Sequence, residues 1–411
     1  MPTIKPFRAL MYNQDKAGSI EKTVAPPYDI ISPQAQETYY QQSPYNIIRV
    51  VLGKTNPKDT PENNQYTRAH KFLHDWSGQG ILRKDKSACM YVYEQTCGNL
   101  RRVSFVSLLK LETLGRSIFP HEDTLLEHRI DRLNLLRECR ANFSPLFFLY
   151  SPASRDINDI LKTALKRKPD FSVEMDGVGN RLWRISDKKS IATVQREMKN
   201  RQVFIADGHH RYDVAMKYSK EAKGAGYTMG MFVSTEEKGL MVLPTHRLVK
   251  TQTELKTPGF MDDAKKYFKI TKPRSLEELF SKFHPRFYGF GMYFGKDLFY
   301  LLSVKDMKLV ERKFESDVPP SWRRLNMVIL HHFFFHHILK LGEIPGENIK
   351  YISSREDAKS LVDDGTYNAA FFLNSIKPHV VRDIALSGEK MPHKATYFYP
   401  KPLSGFIINK F

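Results

Sequence analysis

The stretch "VFIADGHHRYDVAMKYSKEAKGAG", residues 203–226, sets two histidines and an arginine where an apolar run hands over to a helical pattern. Such a junction leaves the first helical N–H groups without intrahelical partners, and Gly208 lets the backbone turn tightly or approach a ligand closely. Those N–H groups, at the positive end of the helix, suit a phosphate. Arg211 adds a planar fork for phosphate oxygens. Asp207 has the chemistry to cap the helix, bind a metal or orient a histidine. His209 or His210 could donate to a phosphoryl oxygen, or shuttle a proton if its pKa lies near neutrality. The pattern is neither a Walker A loop, which needs more glycines and Lys-Ser/Thr, nor a GxGxxG turn.

Other groups could complete such a site. In "PHEDT", Glu122 could deprotonate a hydroxyl attacking a γ-phosphate or hold Mg²⁺ with Asp207, and His121 is a candidate substrate contact. In "APPYDIIS" (25–32) two prolines hold the chain extended, presenting Tyr28 and Asp29 to a substrate or metal, and Ser32-Pro33 start a helix. Arg8 in "KPFRAL" and Lys394 in "MPHKATYFYP" are further candidate anion contacts. Each group also has a plain structural reading. Asp207 caps and Arg211 forms a salt bridge; Glu122 and Asp123 favour a helix start; Asp29 sits in a capped turn. "LHHFFFHHIL" carries His332 and His336 at i,i+4 but no acidic partner for HExxH, so it reads as a core aromatic helix with partly exposed histidines.

The elements that must position these residues follow from hydrophobic period. "YNIIRVVLG" (45–53), "ACMYVYEQTC" (88–97) and "RRVSFVSLLKLE" (101–112) read as strands, the last two paired across "CGNL". Leu126, Ile130, Leu133 and Leu136 predict a helix whose core face they form, with Pro120 ahead of it and Asn142 and Pro145 breaking it before the strand "LFFLY". Residues 156–168 and 190–200 read as helices, "NRLWRIS" and "YTMGMFVSTE" as strands. Strands and helices alternate with more hairpins than a doubly wound parallel fold carries.

The chain has 411 residues, enough for two or three domains. Its 64 Lys and Arg against 45 Asp and Glu give a net charge of +19, spread along the whole chain rather than concentrated in a DNA-binding arm. Cys89, Cys97 and Cys139 are too scattered for a zinc cluster, and their odd number fits a reducing compartment. The N-terminus lacks a hydrophobic signal core, and the apolar runs are too short to span a bilayer. A cytoplasmic protein is expected.

"IADGHHRYDVA", "APPYDIIS", "HEDT…DRLNLL" (121–136) and "MPHKATYFYPKPLSGFIIN" together resemble the DUF1015 family of uncharacterised proteins over nearly the whole chain. The Gly-His-His-Arg element is similar in turn to the phosphate-binding loop of the ParB/sulfiredoxin superfamily, whose members include a free-serine kinase, CTP-hydrolysing ParB proteins and ATP-using sulfiredoxins. That resemblance implies a compact α+β nucleotide fold in which Gly208, His209, His210 and Arg211 hold phosphates. Sulfiredoxin's reactive cysteine is absent and no ParB helix-turn-helix is recognisable, so neither sulfinic acid reduction nor chromosome partition is expected.

The expected molecule is an α+β protein: a ParB/sulfiredoxin-like mixed-sheet nucleotide module with insertions over residues 1–250, and a smaller α+β region over 251–411 packing on it. The expected activity is Mg²⁺-dependent phosphoryl transfer from ATP, ADP or a polyphosphate to a small hydroxyl compound, with free serine among the acceptors. The alternatives are a non-catalytic nucleotide- or nucleic-acid-binding protein and a small-phosphoester phosphatase. Its partner would be a small phosphorylated or hydroxyl metabolite rather than a membrane; nucleic acid is less favoured, and a homodimer is allowed.

Overall fold

Contacts divide the chain into two units, Met1–Met241 with Phe398–Phe411, and Val242–Tyr397. The division falls before residue 250, and the last stretch of chain belongs to the first unit. The computed structural model describes residues 1–122, 126–151, 155–250, 260–284, 286–314, 318–339, 348–391 and 394–411. Asp123 lies outside the described residues.

Among the described residues, nine strands build the sheet of the first unit. They are β1 (Ile4–Lys5), β2 (Met90–Cys97), β3 (Leu100–Lys110), β4 (Ile118–Phe119), β5 (Leu146–Tyr150), β6 (Phe171–Met175), β7 (Val178–Ile185), β8 (Val203–Asp207) and β9 (Tyr227–Ser234). Their spatial order is β4-β8-β5-β9-β3-β2-β7-β6, with β1 beside β3. The β4–β8 and β5–β9 pairs are parallel and the remaining pairs antiparallel, so the sheet is mixed. The β2–β3 hairpin closes at Cys97 opposite Leu100, as the turn "CGNL" requires.

The helices of this unit include α1 (Pro33–Gln42), α2 (Ile48–Val51), α3 (Gln65–Gly78), α4 (Leu126–Cys139), α5 (Arg155–Leu165), α6 (Lys188–Lys199) and α7 (His209–Glu221). Ser32 caps α1 with Pro33 in its first turn, and Asn64 with Thr67 closes a capping box on α3. Apolar faces of α5, α6 and α7 (Ile157, Leu161, Val194, Met198, Tyr212) share one core with Val92, Phe105, Phe148, Ile205 and Phe232 of the sheet. A second core gathers α2, α3 and α4 around Trp76.

Two local expectations change. "YNIIRVVLG" contains a helical turn, α2, rather than a strand. The fully buried Asn46 accepts from the Ile48 N–H (2.9 Å) and donates to the Lys22 and Val24 carbonyls, which opens a turn that an extended chain could not make. Burial of Ile47, Ile48, Val50 and Val51 then outweighs the β preference of branched side chains. In α4, Ile130 is 64% exposed. The helix lies between two clusters, so among its described side chains the buried positions are Arg132, Leu133, Leu135, Leu136 and Cys139, with Ile130 left out; the Leu126 side chain lies outside the described residues.

Among the described residues, the larger sheet of the second unit has six strands: β10 (His246–Val249), β11 (Phe268–Thr271), β12 (Gly289–Tyr293), β13 (Phe299–Val304), β14 (Ile349–Ile352) and β15 (Ala369–Phe372). They form an antiparallel sheet ordered β11-β13-β12-β15-β10-β14. The histidine-rich segment is a π-helix, Ile329–Ile338, whose Phe334 and Phe335 pack on Phe290 and Phe371 at 4.7 and 4.8 Å between ring centroids. His332 and His336 stay exposed. No helix among the described residues is long and apolar enough to cross a membrane.

The stacking of Phe148 and Phe105 on Phe232, at 5.3 and 5.0 Å, depends on Gly230. A Cβ there would lie 2.7 Å from the Phe148 ring. Gly230→Ala should therefore cost about 1–3 kcal/mol by overpacking, read as a lower midpoint in urea with an unchanged slope.

Candidate functional site

Strand β8 ends in the Asp207-Gly208 turn that starts α7. Its register against β5 shifts between Ile205 and Asp207, and a bulge there re-aims the strand end. The Ile205 carbonyl is left to accept from His121 Nδ1 at 2.7 Å. Gly208 takes φ 98°, in the left-handed region, and no side chain caps α7. A Cβ at this position would meet Arg211 Nη2 at 3.0 Å and Leu146 Cγ at 3.2 Å. Glycine thus serves the turn twice: it permits the backbone angle, and it lets the guanidinium fold against the turn.

Arg211 donates from Nη2 to Asp207 Oδ2 (2.9 Å) and from Nη1 to Ser144 Oγ (2.8 Å) and the Pro145 carbonyl (3.3 Å). Lys401 approaches Asp207 from the other side, its Nζ donating to Asp207 Oδ1 at 2.7 Å and to Asp29 Oδ2 at 2.8 Å. These partners lie 194 and 372 positions away in the chain. The lysine side chain is 7% exposed. The β2–β3 hairpin holds its backbone: buried Arg102 donates to the Tyr399 carbonyl (3.1 Å) and to the Pro400 carbonyl, and Gln95 Nε2 donates to the Lys401 carbonyl (3.1 Å). Leu403 N–H donates to Tyr93 Oη (3.3 Å), and Ser404 bridges to Ala25, just before the Tyr28-Asp29 turn. Asp29, Lys401, Asp207 and Arg211 therefore form a row of alternating charge.

Burial alone would raise the Asp207 pKa, but Lys401 and Arg211 overcome it and hold the carboxyl well below the usual carboxylate range. Burial would likewise lower Lys401; Asp207 and Asp29 reverse that and keep it charged. Tyr28 is pushed up by burial, and its ring lies 3.9 Å from the Arg132 guanidinium. Arg132 is tied to Asp131 Oδ2 (2.7 Å) and the Val51 carbonyl (2.7 Å).

His209 is buried against His121, their rings edge to face at 4.6 Å. The His121 peptide N–H donates to His209 Nε2 (3.3 Å), which fixes the neutral tautomer with its proton on Nδ1. Desolvation, then His121, pushes His209 down to about 3, against the opposing pull of Glu122 and Asp207. Proton shuttling by His209 near neutrality is therefore not available; the ring stays neutral and braces the turn. Glu122 is an isolated bridge residue ahead of α4. His210 occupies the first turn of α7, half-buried.

Two further expected contacts are Arg8 and Lys394. Arg8 is exposed and donates to the Asp85 carbonyl at 2.7 Å. Lys394 is exposed, with φ 55°, in the second unit. A Mg²⁺ ion held by Asp207 and Glu122 does not fit the arrangement, because Lys401 and Arg211 each occupy an oxygen of Asp207. Among the described residues no group of three or more His, Cys, Asp or Glu could hold a metal. Sequence reasoning missed Lys401, Ser144 and Arg102. The available signal was Pro400-Lys401-Pro402, a lysine held between two prolines.

The native His209 refuses a proton that the unfolded chain takes up below pH 6.5. Its contribution is thus present above that pH and lost as pH falls toward about 3. The slope of stability against pH between 6.5 and 3 should flatten in His209→Gln by up to about 1.4 kcal/mol per pH unit, measured by urea unfolding at several pH values.

Comparison with curated proteins gives no match in sequence. Solved structures similar to this chain include a free serine kinase in complex with AMP, at 13% identity and TM-score 0.35, covering 72% of this chain and 97% of that one. A conserved hypothetical protein from Pyrococcus furiosus matches at 13% identity and TM-score 0.34, over 70% of this chain and 90% of that one. SbnI with a C-terminal truncation, from Staphylococcus aureus, matches at 10% identity and TM-score 0.33, over 74% and 82%. The family model described as "Protein of unknown function (DUF1015)" matches residues 4–328, and the chain belongs to that family.

Proposed function

We propose that the turn from Asp207 to Arg211 binds the phosphates of a nucleotide such as ATP or ADP, or of a polyphosphate, and that the protein transfers a phosphoryl group to a small hydroxyl compound. The observation that carries this reading is the convergence of Lys401 and Arg211 on Asp207 at the uncapped start of α7. A helix start without a side-chain cap and with two fixed cations beside it is a ready anion site. Asp207 here organises cations instead of ligating metal: each oxygen fixes one donor, so little reorganisation is needed when phosphate arrives. In this reading the first unit is the ParB/sulfiredoxin-like nucleotide module, and Mg²⁺ enters only with the nucleotide. Glu122, close enough to act on the charge of His121 and His209, is the candidate base for the acceptor hydroxyl, and His210 and Asp29 are candidate contacts. In-line transfer asks mostly for positioning and charge stabilisation, which such a set supplies.

A second reading, a nucleotide-binding protein without turnover, draws support from the engagement of Asp207 by two cations and of the His209 lone pair by a peptide N–H. Melting shifts with ATP, ADP, CTP, GTP and pyrophosphate, with and without Mg²⁺, separate these outcomes. Arg211→Ala should weaken phosphate-ligand binding by about tenfold or more, since hydrogen bonds to charged groups are worth roughly 1.5–3 kcal/mol. Unchanged binding in that variant would remove the turn as the phosphate site. Glu122→Gln should bind nucleotide like the parent and lose turnover; turnover equal to the parent's would rule Glu122 out as the base.

A further inference from the structure

Beside the turn, within the first unit, lies a cleft with about 560 Å³ of empty volume, part of it open solvent. Its walls are aliphatic, from Leu135 and Leu136 of α4, Leu146 of β5, and Val214 and Ala215 of α7. Two guanidinium groups, Arg132 and Arg211, line it, and among the described residues no carboxylate does. Thr228 of β9 is among its lining residues, fully buried, and its Oγ1 has no hydrogen-bond partner. A buried hydroxyl left unsatisfied costs about 1–3 kcal/mol, and its persistence asks for a partner that comes and goes. Two neighbours on the lining have donors to spare. Ser144 Oγ accepts from Arg211, which leaves its own proton to give. Asn142 Oδ1 already accepts from the Met229 N–H (3.2 Å) and from Asn409 Nδ2 (3.0 Å), which leaves its Nδ2 as the group to meet a guest.

We infer that this cleft binds a small aliphatic hydroxy acid, with its carboxylate at Arg211 and Arg132, its hydrocarbon on the leucine and valine wall, and its hydroxyl toward Thr228. The lining discriminates by charge. Two cations receive a carboxylate, but an ammonium group would enter with no carboxylate to pair it, at a cost that hydroxyl or hydrogen at the same carbon escapes. An amino acid such as serine is thereby disfavoured against the hydroxy acid of the same shape. That the guest is also the phosphoryl acceptor rests on the phosphate reading of the adjoining turn, with which the cleft shares Arg211; occupancy of the cleft does not.

The test uses three compounds with one carbon skeleton, 3-hydroxybutyrate, 3-aminobutyrate and butyrate, titrated calorimetrically into the full-length protein, with pyrophosphate as a separate titration. 3-Hydroxybutyrate should bind at least about tenfold more tightly than 3-aminobutyrate. Thr228→Val keeps the shape and removes the unpaired hydroxyl, so the unliganded variant should melt no lower than the parent. It should bind 3-hydroxybutyrate about five- to tenfold more weakly and butyrate unchanged. Equal or tighter binding of 3-aminobutyrate, an unchanged 3-hydroxybutyrate affinity in Thr228→Val, or no binding of any of the three would overturn the cleft assignment, whatever pyrophosphate does. Hydroxy-acid binding without pyrophosphate binding would leave the cleft standing and overturn its role as the acceptor site.

Discussion

Everything around the turn depends on one buried lysine shared by two carboxylates. Lys401 cannot be taken out of water as a cation without partners, and Asp207 cannot be buried as an anion without cations. Each is the other's solution, with Asp29 and Arg211 extending the row on either side. Removing one member would strand a buried charge, which typically costs about 3–5 kcal/mol. The row therefore ties three remote segments together: the loop around Tyr28, the β8–α7 turn, and the returning stretch Phe398–Phe411. This explains why the C-terminal stretch belongs to the first unit although some 150 residues of another unit precede it. Its backbone is pinned by Arg102, Gln95 and Tyr93, side chains of the longest hairpin in the sheet. That anchoring sets where the lysine can reach.

The same row settles how the chain's charge bears on the site. A surplus of +19 suggests a broadly positive protein, yet the turn is a balanced arrangement of two acids and two bases. Net charge governs solubility and non-specific attraction, whereas selectivity here would come from which donors are fixed in place. The cleft beside the turn shows the contrast: two arginines face it while their partner carboxylates, Asp131 and Asp207, lie outside its lining.

Much of the local structure was legible from residue order alone. The β2–β3 hairpin, the strand before Asp207 and the helix after Gly208 follow from period and turn chemistry, which act over a few residues. Where burial on several sides decides, pattern misleads. The branched run at 47–51 looks like a strand, but a buried asparagine and two-sided packing make it helical. Ile130 fits the stripe of Leu133 and Leu136 but stays exposed, because α4 packs against two clusters rather than one. At the site, Asp29 and Asp207 stand out by type, and the structure brings both onto one side chain. That side chain, Lys401, sits seven residues beyond the lysine that composition drew attention to, and only the long-range fold distinguishes them. His209 shows the same limit from another direction. Its sequence invites a proton shuttle, while its pKa is set by desolvation and a neighbouring ring that no local pattern contains.

The most direct measurement is the position of a heavy phosphate mimic in crystals of the protein. Anomalous diffraction from crystals soaked in tungstate should place a tungsten peak at the start of α7, within hydrogen-bond reach of Lys401 or Arg211 and the first peptide N–H groups. Well-occupied peaks elsewhere on the basic surface, with none at this turn, would contradict the claim that Asp207, Lys401 and Arg211 exist to receive phosphate.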